Sequence, residues 1–216
     1  ATLLARNDSR IIGVIVNDHP KYEGHVFEDP FISAAINFLS DEIEGQGYFM
    51  MLKKAEKITE IVAFASMWNL DGVIVIGFCE DEYQDLRDRI RVPFVIYDGF
   101  ADEQNRFGNI LIDDYDGGRQ VGAYLRASGH SRVLCIADND ICMDLLRYQG
   151  LCEGLDRKAD FLKIPMQAEE RTAFYRDRLE LLKSYTAIFA VSDYYALELM
   201  RFLQNSGVKI PDELSV

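Results

Sequence analysis

Side chains able to hold a small polar molecule recur where apolar runs of this chain end. Asn17-Asp18 follows the run from Ile11 to Val16, Phe78 follows Val73 to Gly77, and Tyr97-Asp98 closes the run from Phe94. Asp113-Asp114-Tyr115-Asp116-Gly117-Gly118-Arg119 follows Asn109 to Ile112, and Ser192-Asp193 follows Ala187 to Val191. Carboxylates accept hydrogen bonds from hydroxyl groups, and aromatic faces pack on apolar ring faces. Acids and aromatics at these strand ends fit a site for a small polyhydroxylated ligand, with Asp18, Phe78, Asp113, Tyr115, Asp116, Ser192 and Asp193 as candidates. Each also has a purely structural explanation. Asp and Ser before a helix act as N-caps, so Asp113 or Asp114 reads as a cap. Phe78 alone reads as core or lid packing. Arg147, at the start of an apolar-faced helix, opposes the positive end of the helix dipole. It is either a plain exposed arginine or one held there for a ligand or a carboxylate.

Reaction chemistry finds less support. The chain has no G-x-x-x-x-G-K-[ST] loop, no G-x-G-x-x-G after its first apolar run, where Asn17-Asp18-His19-Pro20 stands, and no G-x-S-x-G elbow. Its carboxylates follow no catalytic pattern. His19, His25 and His130 are not at metal-ligand spacing. Cys79, Cys135, Cys142 and Cys152 form no C-x-x-C pair, and Cys135 lies inside an apolar run, which suggests reduced thiols. We expect no enzyme, no cofactor and no metal.

These candidates must be positioned by alternating strands and helices. Short Ile- and Val-rich runs predict strands at Ile11–Val16, Tyr48–Leu52, Val73–Gly77, Phe94–Tyr97, Asn109–Ile112, Val133–Ala137, Phe161–Ile164 and Ala187–Val191. Apolar residues at helical spacing predict helices through Ile32–Ile43, Ile58–Ala65, Tyr83–Ile90, Val121–Leu125, Leu146–Leu155, Phe174–Leu182 and Ala196–Leu203. A last strand begins at Leu214-Ser215-Val216. Strands apolar on both faces and separated by helices mean parallel sheet covered on both sides. The fold class is α/β, two lobes of parallel sheet with flanking helices, with the second cut short inside its sheet. We expect a linker remnant over 1–10, an N-terminal lobe over 11–113 and an incomplete C-terminal lobe over 114–216. In such sheets ligands bind beyond the carboxyl ends of the strands.

Composition narrows the partners. Apolar content of 49% and charged content of 27% are ordinary for a globular protein. No apolar run approaches the ~20 residues that cross a bilayer, and the first residues hold no long apolar segment, so we expect no membrane association and a cytoplasmic setting. The formal net charge of −13 leaves phosphates little to neutralise them, so DNA could be met only through a separate basic segment.

In this order the pieces resemble the effector-binding core of the lactose-repressor (LacI/GalR) family of bacterial transcription regulators. The carriers are Ile11–Val16 with Asp29-Pro30-Phe31, Leu70-Asp71-Gly72-Val73-Ile74-Val75, the block from Asp113 to Arg119 with Tyr124-Leu125 and Gly129-His130-Ser131-Arg132, Arg147-Tyr148-Gln149-Gly150, and Thr186 to Asp193 with Ile210 to Val216. The resemblance implies a periplasmic-binding-protein-like type I fold, a homodimer, a small-molecule effector held between two lobes, and operator DNA bound only through an N-terminal helix-turn-helix head that this chain lacks. It places Phe31 as a stacking aromatic, Asp113 at the crossover, Arg147 as the main polar anchor and Ser192-Asp193 at the far wall, with Asp18 and Asp116 as lesser contacts. Two departures bear on the effector: the stretch from Asn17 to Glu28 is longer than usual, and Ser192 stands where many members carry Asn. The alternative is a sugar-binding protein of a transport system, which shares the fold.

Overall fold

The computed structural model describes residues 9–78, 86, 88–99 and 108–216. They fall into two compact units that divide between Ile112 and Asp113. Asp113 caps the helix that opens the second unit.

In the first unit, strand β1 (Ile11–Asn17), helix α1 (Pro30–Gly45), β2 (Phe49–Ala55), α2 (Ile58–Met67), β3 (Gly72–Ile76), β4 (Phe94–Tyr97) and β5 (Gly108–Ile110) follow in chain order. The strands form one parallel sheet in the order β2-β1-β3-β4-β5. Their side chains alternate between two cores. Ile15, Val73, Val75 and Ile96 pack with Ile58, Ile61 and Phe64 of α2. Val14, Val16 and Ile76 pack with Ile32 and Ile43 of α1. Burial on both faces is why these strands read as unbroken apolar runs. Asp29 caps α1, accepting from the Phe31 and Ile32 amides, and Pro30 occupies the first turn, where its missing N–H costs nothing.

The second unit runs α3 (Asp114–Ala127), β6 (Val133–Ala137), α4 (Cys142–Leu155), β7 (Asp160–Lys163), α5 (Ala168–Asp177), α6 (Leu179–Lys183), β8 (Ala187–Ala190) and α7 (Asp193–Asn205). Its parallel sheet has the order β7-β6-β8, and all of β6 is buried. Ser215 adds a single parallel bridge to Ala187, where the sequence predicts the start of another strand.

The Ser9 amide and hydroxyl and the Arg10 amide donate to the Asp71 carboxylate, which fastens the start of β1. Several expectations need correction. The fifth strand stops at Ile110, leaving Leu111 and Ile112 exposed. The helix predicted through Phe174–Leu182 is two helices, broken at Arg178, which has left helical geometry at φ −115°. Cys135 and Cys152 are free thiols. Most of the helix expected through Tyr83–Ile90, with Cys79, lies outside the described residues.

α3 and α4 cross through glycine. A Cβ on Gly118 would sit 2.1 Å from the Arg147 carbonyl oxygen, and one on Gly122 2.3 Å from that of Leu151. From the other side, a Cβ on Gly150 would sit 1.9 Å from the Tyr115 oxygen and one on Gly154 2.0 Å from that of Arg119. Only hydrogen fits at all four positions, so the two backbones touch. That contact brings the start of α3 against the second turn of α4.

Candidate functional site

In the first unit, the ends of β1 and β4 carry the candidates. Asp18 follows β1 directly, and its Oδ2 lies 3.0 Å from Lys54 Nζ at the end of β2. Lys54 also donates to the Gly24 carbonyl at 2.5 Å and stands 5.8 Å from the Phe27 ring centroid. The other carboxylate oxygen of Asp18 is buried with no hydrogen-bond partner. Phe31 stacks on Tyr97 at 6.0 Å with 10° between the rings and stays 47% exposed, so one aromatic face remains open. Phe78 is fully buried among the α2-side core residues.

The second unit supplies the charged groups. The Asp113 carboxylate accepts the Asp116 amide at 2.9 Å, so it is the N-cap of α3. Asp114, one residue on, is buried and faces Arg147. Arg147 Nε donates to Asp114 Oδ1 at 2.8 Å, Nη2 lies 2.8 Å from the same oxygen, and Nη1 donates to the Val191 carbonyl at 2.6 Å, just past β8. The Arg147 side chain is 25% exposed, and these contacts among the described residues use three of the five N–H groups of its fork. Because α4 starts at Cys142, Arg147 sits in its second turn. The expected conflict with the helix dipole therefore falls away, and Asp114 is the carboxylate that holds the arginine.

From Arg147 a line of polar groups crosses the strand ends. Asp144 Oδ1 lies 3.8 Å from Nη1. The Asn139 amide donates to Asp144 at 2.8 Å and to Asp138 Oδ1 at 2.9 Å. Ser192 caps α7 by accepting the Tyr195 amide at 3.4 Å, and Asp193 is exposed in the first turn. Tyr115 and Asp116 stand apart from this line. The Tyr115 hydroxyl donates to Glu153, which holds its pKa above the usual phenol value. Asp116 takes hydrogen bonds from Arg119 Nε at 2.8 Å and from Gln120 at 2.6 Å, which hold its carboxyl below the usual range.

A second arginine was not singled out from the sequence. Arg171 of α5 is 0% exposed. Its Nε and Nη2 donate to Glu198 at 2.8 Å, Nη1 donates to the Pro165 and Met166 carbonyls past β7, and Nη2 reaches the Tyr194 hydroxyl at 3.3 Å. The rings of Tyr194 and Tyr195 face its guanidinium at 5.3 and 5.1 Å. Burial works against the cation, but the Glu198 hydrogen bonds and charge outweigh it and raise its pKa.

Within the second unit, the structure thus brings Arg147 to the end of β8 beside Ser192, and adds Asp114, Asp138, Asn139 and Asp144, which sequence reasoning missed as site groups. Asp114 was readable only as a rival cap to Asp113. Asp138-Asn139-Asp140 reads as an ordinary polar turn. Among the described residues, no group of His, Cys, Asp and Glu could hold a metal ion, and no helix is long and apolar enough to cross a membrane.

The periplasmic binding protein-like domain family matches residues 123–216. The chain is 25% identical over 234 residues to the HTH-type transcriptional repressor PurR of Vibrio parahaemolyticus, covering 100% of this chain and 66% of that protein. It is 25% identical over 235 residues to the HTH-type transcriptional regulator CelR of Thermobifida fusca, with the same coverage. The solved complex of the transcriptional regulator CelR with cellobiose superposes with a TM-score of 0.82 at 22% identity, over 97% of this chain and 67% of that one. The two helix-flanked parallel sheets are thus of the periplasmic-binding-protein-like type I fold. The chain spans just under two thirds of the length of the two regulators matched by sequence.

Proposed function

We propose that this chain, an effector-binding core of the LacI family, senses a small polyhydroxylated molecule on behalf of a longer transcription regulator. One observation carries the reading. Arg147 is fixed at the end of β8 by Asp114 and the Val191 carbonyl, with part of its donor fork open. A guanidinium so held offers fixed donors to paired oxygens without further ordering cost. Asp193, in the first turn of α7, is an exposed acceptor, and in the first unit Phe31 is 47% exposed. A ligand shifts a conformational equilibrium only through differential affinity for its states. The longer protein would dimerise, meet operator DNA through a segment outside this chain, and work in the cytoplasm without catalysing a reaction. The names of the relatives favour this reading over a transport protein.

The test is a thermal-shift and calorimetry panel of mono- and disaccharides, nucleosides and phosphorylated sugars on the full-length protein. The expected result is a raised melting temperature with a sugar, and a weaker response in Arg147→Lys. A response to nucleosides alone would refute the sugar assignment. Equal affinity of Arg147→Lys and wild type for the ligand that binds would remove Arg147 from the site.

A further inference from the structure

We infer that Lys54 is a specificity-determining residue of the first unit: it pins the segment from Asp18 to Glu28 as a fixed wall beside the ligand and so sets an upper size limit on what binds there. This rests on the ligand-sensing reading above and narrows it to molecules about the size of one sugar ring.

The segment is the stretch that is longer than usual, and it is folded rather than slack. It starts at Asp18, directly after β1, and ends at Asp29, the cap of α1. It therefore joins two candidate ligand groups, Asp18 and Phe31. Two short 3-10 turns, Pro20–Tyr22 and Val26–Glu28, lie within it. The amides of Tyr22, Glu23, His25 and Glu28 each donate to the carbonyl three residues back. Val26 is 0% exposed and packs with Val14, Val16 and Ile32 in the core under α1, and Tyr22 is half-buried against the same core. Burial of an apolar side chain in the core of β1 fixes the middle of the segment.

Lys54 fixes its open side. Its side chain stands at the end of β2, 36% exposed, and three parts of the segment converge on it. The ammonium lies 3.0 Å from Asp18 Oδ2, donates to the Gly24 carbonyl at 2.5 Å and stands 5.8 Å from the Phe27 ring centroid. A compact cation with three donors can hold a carboxylate and a carbonyl at once and still face a ring. Glu23 and Gly24 are both left-handed, at φ 51° and 83°, and this turn presents the carbonyl. The next residue on β2, Ala55, accepts the Asp18 amide at 3.1 Å, so main chain and side chain of the β2 end both hold the start of the segment.

Ligands of open α/β sheets bind beyond the carboxyl ends of the strands. A segment fixed there takes up room beside them. Held at its start, its middle and its open side, this one cannot swing away without breaking the Lys54 contacts. A molecule extended toward β2 would have to break them, whereas a compact one would not. A slack loop of equal length would give way to both.

The experiment has a ligand-free arm and a ligand arm, both on the full-length protein. Lys54→Met also leaves the Asp18 carboxylate without its cation, so it is made in the wild-type and in the Asp18→Asn background. In both, hydrogen exchange over residues 19–28 should run at least tenfold faster than in the matching Lys54 protein, while exchange over β6 stays unchanged. Equal exchange over 19–28 with and without Lys54 overturns the proposal. In the ligand arm, calorimetry compares monosaccharides with the disaccharides and trisaccharides built from them. Wild type should favour the monosaccharide at least tenfold, and Lys54→Met should close that gap, a change of selectivity that a merely structural role would not produce. A wild type that binds the longer sugar as tightly as its monosaccharide unit overturns the size limit, and so does a preference that Lys54→Met leaves unchanged. Both results leave the sensing reading intact. If no sugar, nucleoside or phosphorylated sugar binds, the sensing reading falls and this assignment falls with it.

Discussion

Arg147 and Arg171 lie in the same unit, and each ties a helix to the carboxyl end of a strand. Arg147 joins α4 to the end of β8, and Arg171 joins α5 to the loop after β7. They differ in what remains open. Arg171 is sealed, with Glu198, two carbonyls, a phenol and two ring faces around it. Arg147 is held from one side by Asp114 and Val191 and is a quarter exposed. An arginine whose donors are all engaged inside the fold stabilises structure, and one with open donors can also recognise a ligand.

The largest effect should come from closing that comparison at its structural end. Arg171→Met strands Glu198 and the Pro165 and Met166 carbonyls, and loss of one partner of a buried pair costs about 3 kcal/mol. Denaturant melts should show this loss, while ligand affinity of the folded fraction stays within about twofold; a tenfold drop in affinity would erase the distinction between the arginines. Gly150→Ala comes next. Its methyl would sit 1.9 Å from the Tyr115 carbonyl oxygen, so α3 and α4 must part, at about 2 kcal/mol for overpacking. Because Asp114 and Arg147 ride on the two helices, this variant should weaken ligand binding as well, which a calorimetric titration would read. Arg147→Lys keeps the charge opposite Asp114 and removes the fork. Affinity should fall about tenfold, or ~1.4 kcal/mol, with a smaller change in stability; the reverse order of effects would make Arg147 a second Arg171.

Charge pairs at the surface mark the lower limit. Hydrogen bonds from Arg119 and then Gln120 depress the Asp116 pKa. A depressed carboxyl stabilises the fold above its unfolded pKa near ~4, and that contribution is lost as pH falls through the lower folded value. Asp116→Asn should therefore flatten the acid limb of a melting-temperature profile slightly, and salt should mimic it, because this pair is open to solvent.

The framework was legible because its signals are local. Ile11–Val16, Val73–Ile76 and Val133–Ala137 are apolar on both faces, and Asp113 and Ser192 are of the residue types that cap helices. The positions of α4 and α5 were less so. Ile141, at the N-cap of α4, makes no side-chain cap, so nothing in the sequence marks a start at Cys142. The site was half legible. Arg147 stood out by its neighbours, but its partner Asp114 depends on a helix crossing formed by residues far apart in the chain. Arg171 sits in Ala168-Glu169-Glu170-Arg171-Thr172-Ala173-Phe174-Tyr175-Arg176-Asp177, where nothing local separates it from the exposed Arg176.

The glycine crossing of α3 and α4 has a mechanical side. Where helices meet through side chains, rotamers can yield and absorb a small displacement. Here main chain rests on main chain at four places, with no side-chain rotamer between them to give. A push on Arg147 at the strand ends would therefore be delivered undamped along α3, whose 14 residues span roughly 20 Å at the rise of an α-helix. It would arrive at Ala127 and the turn beyond it.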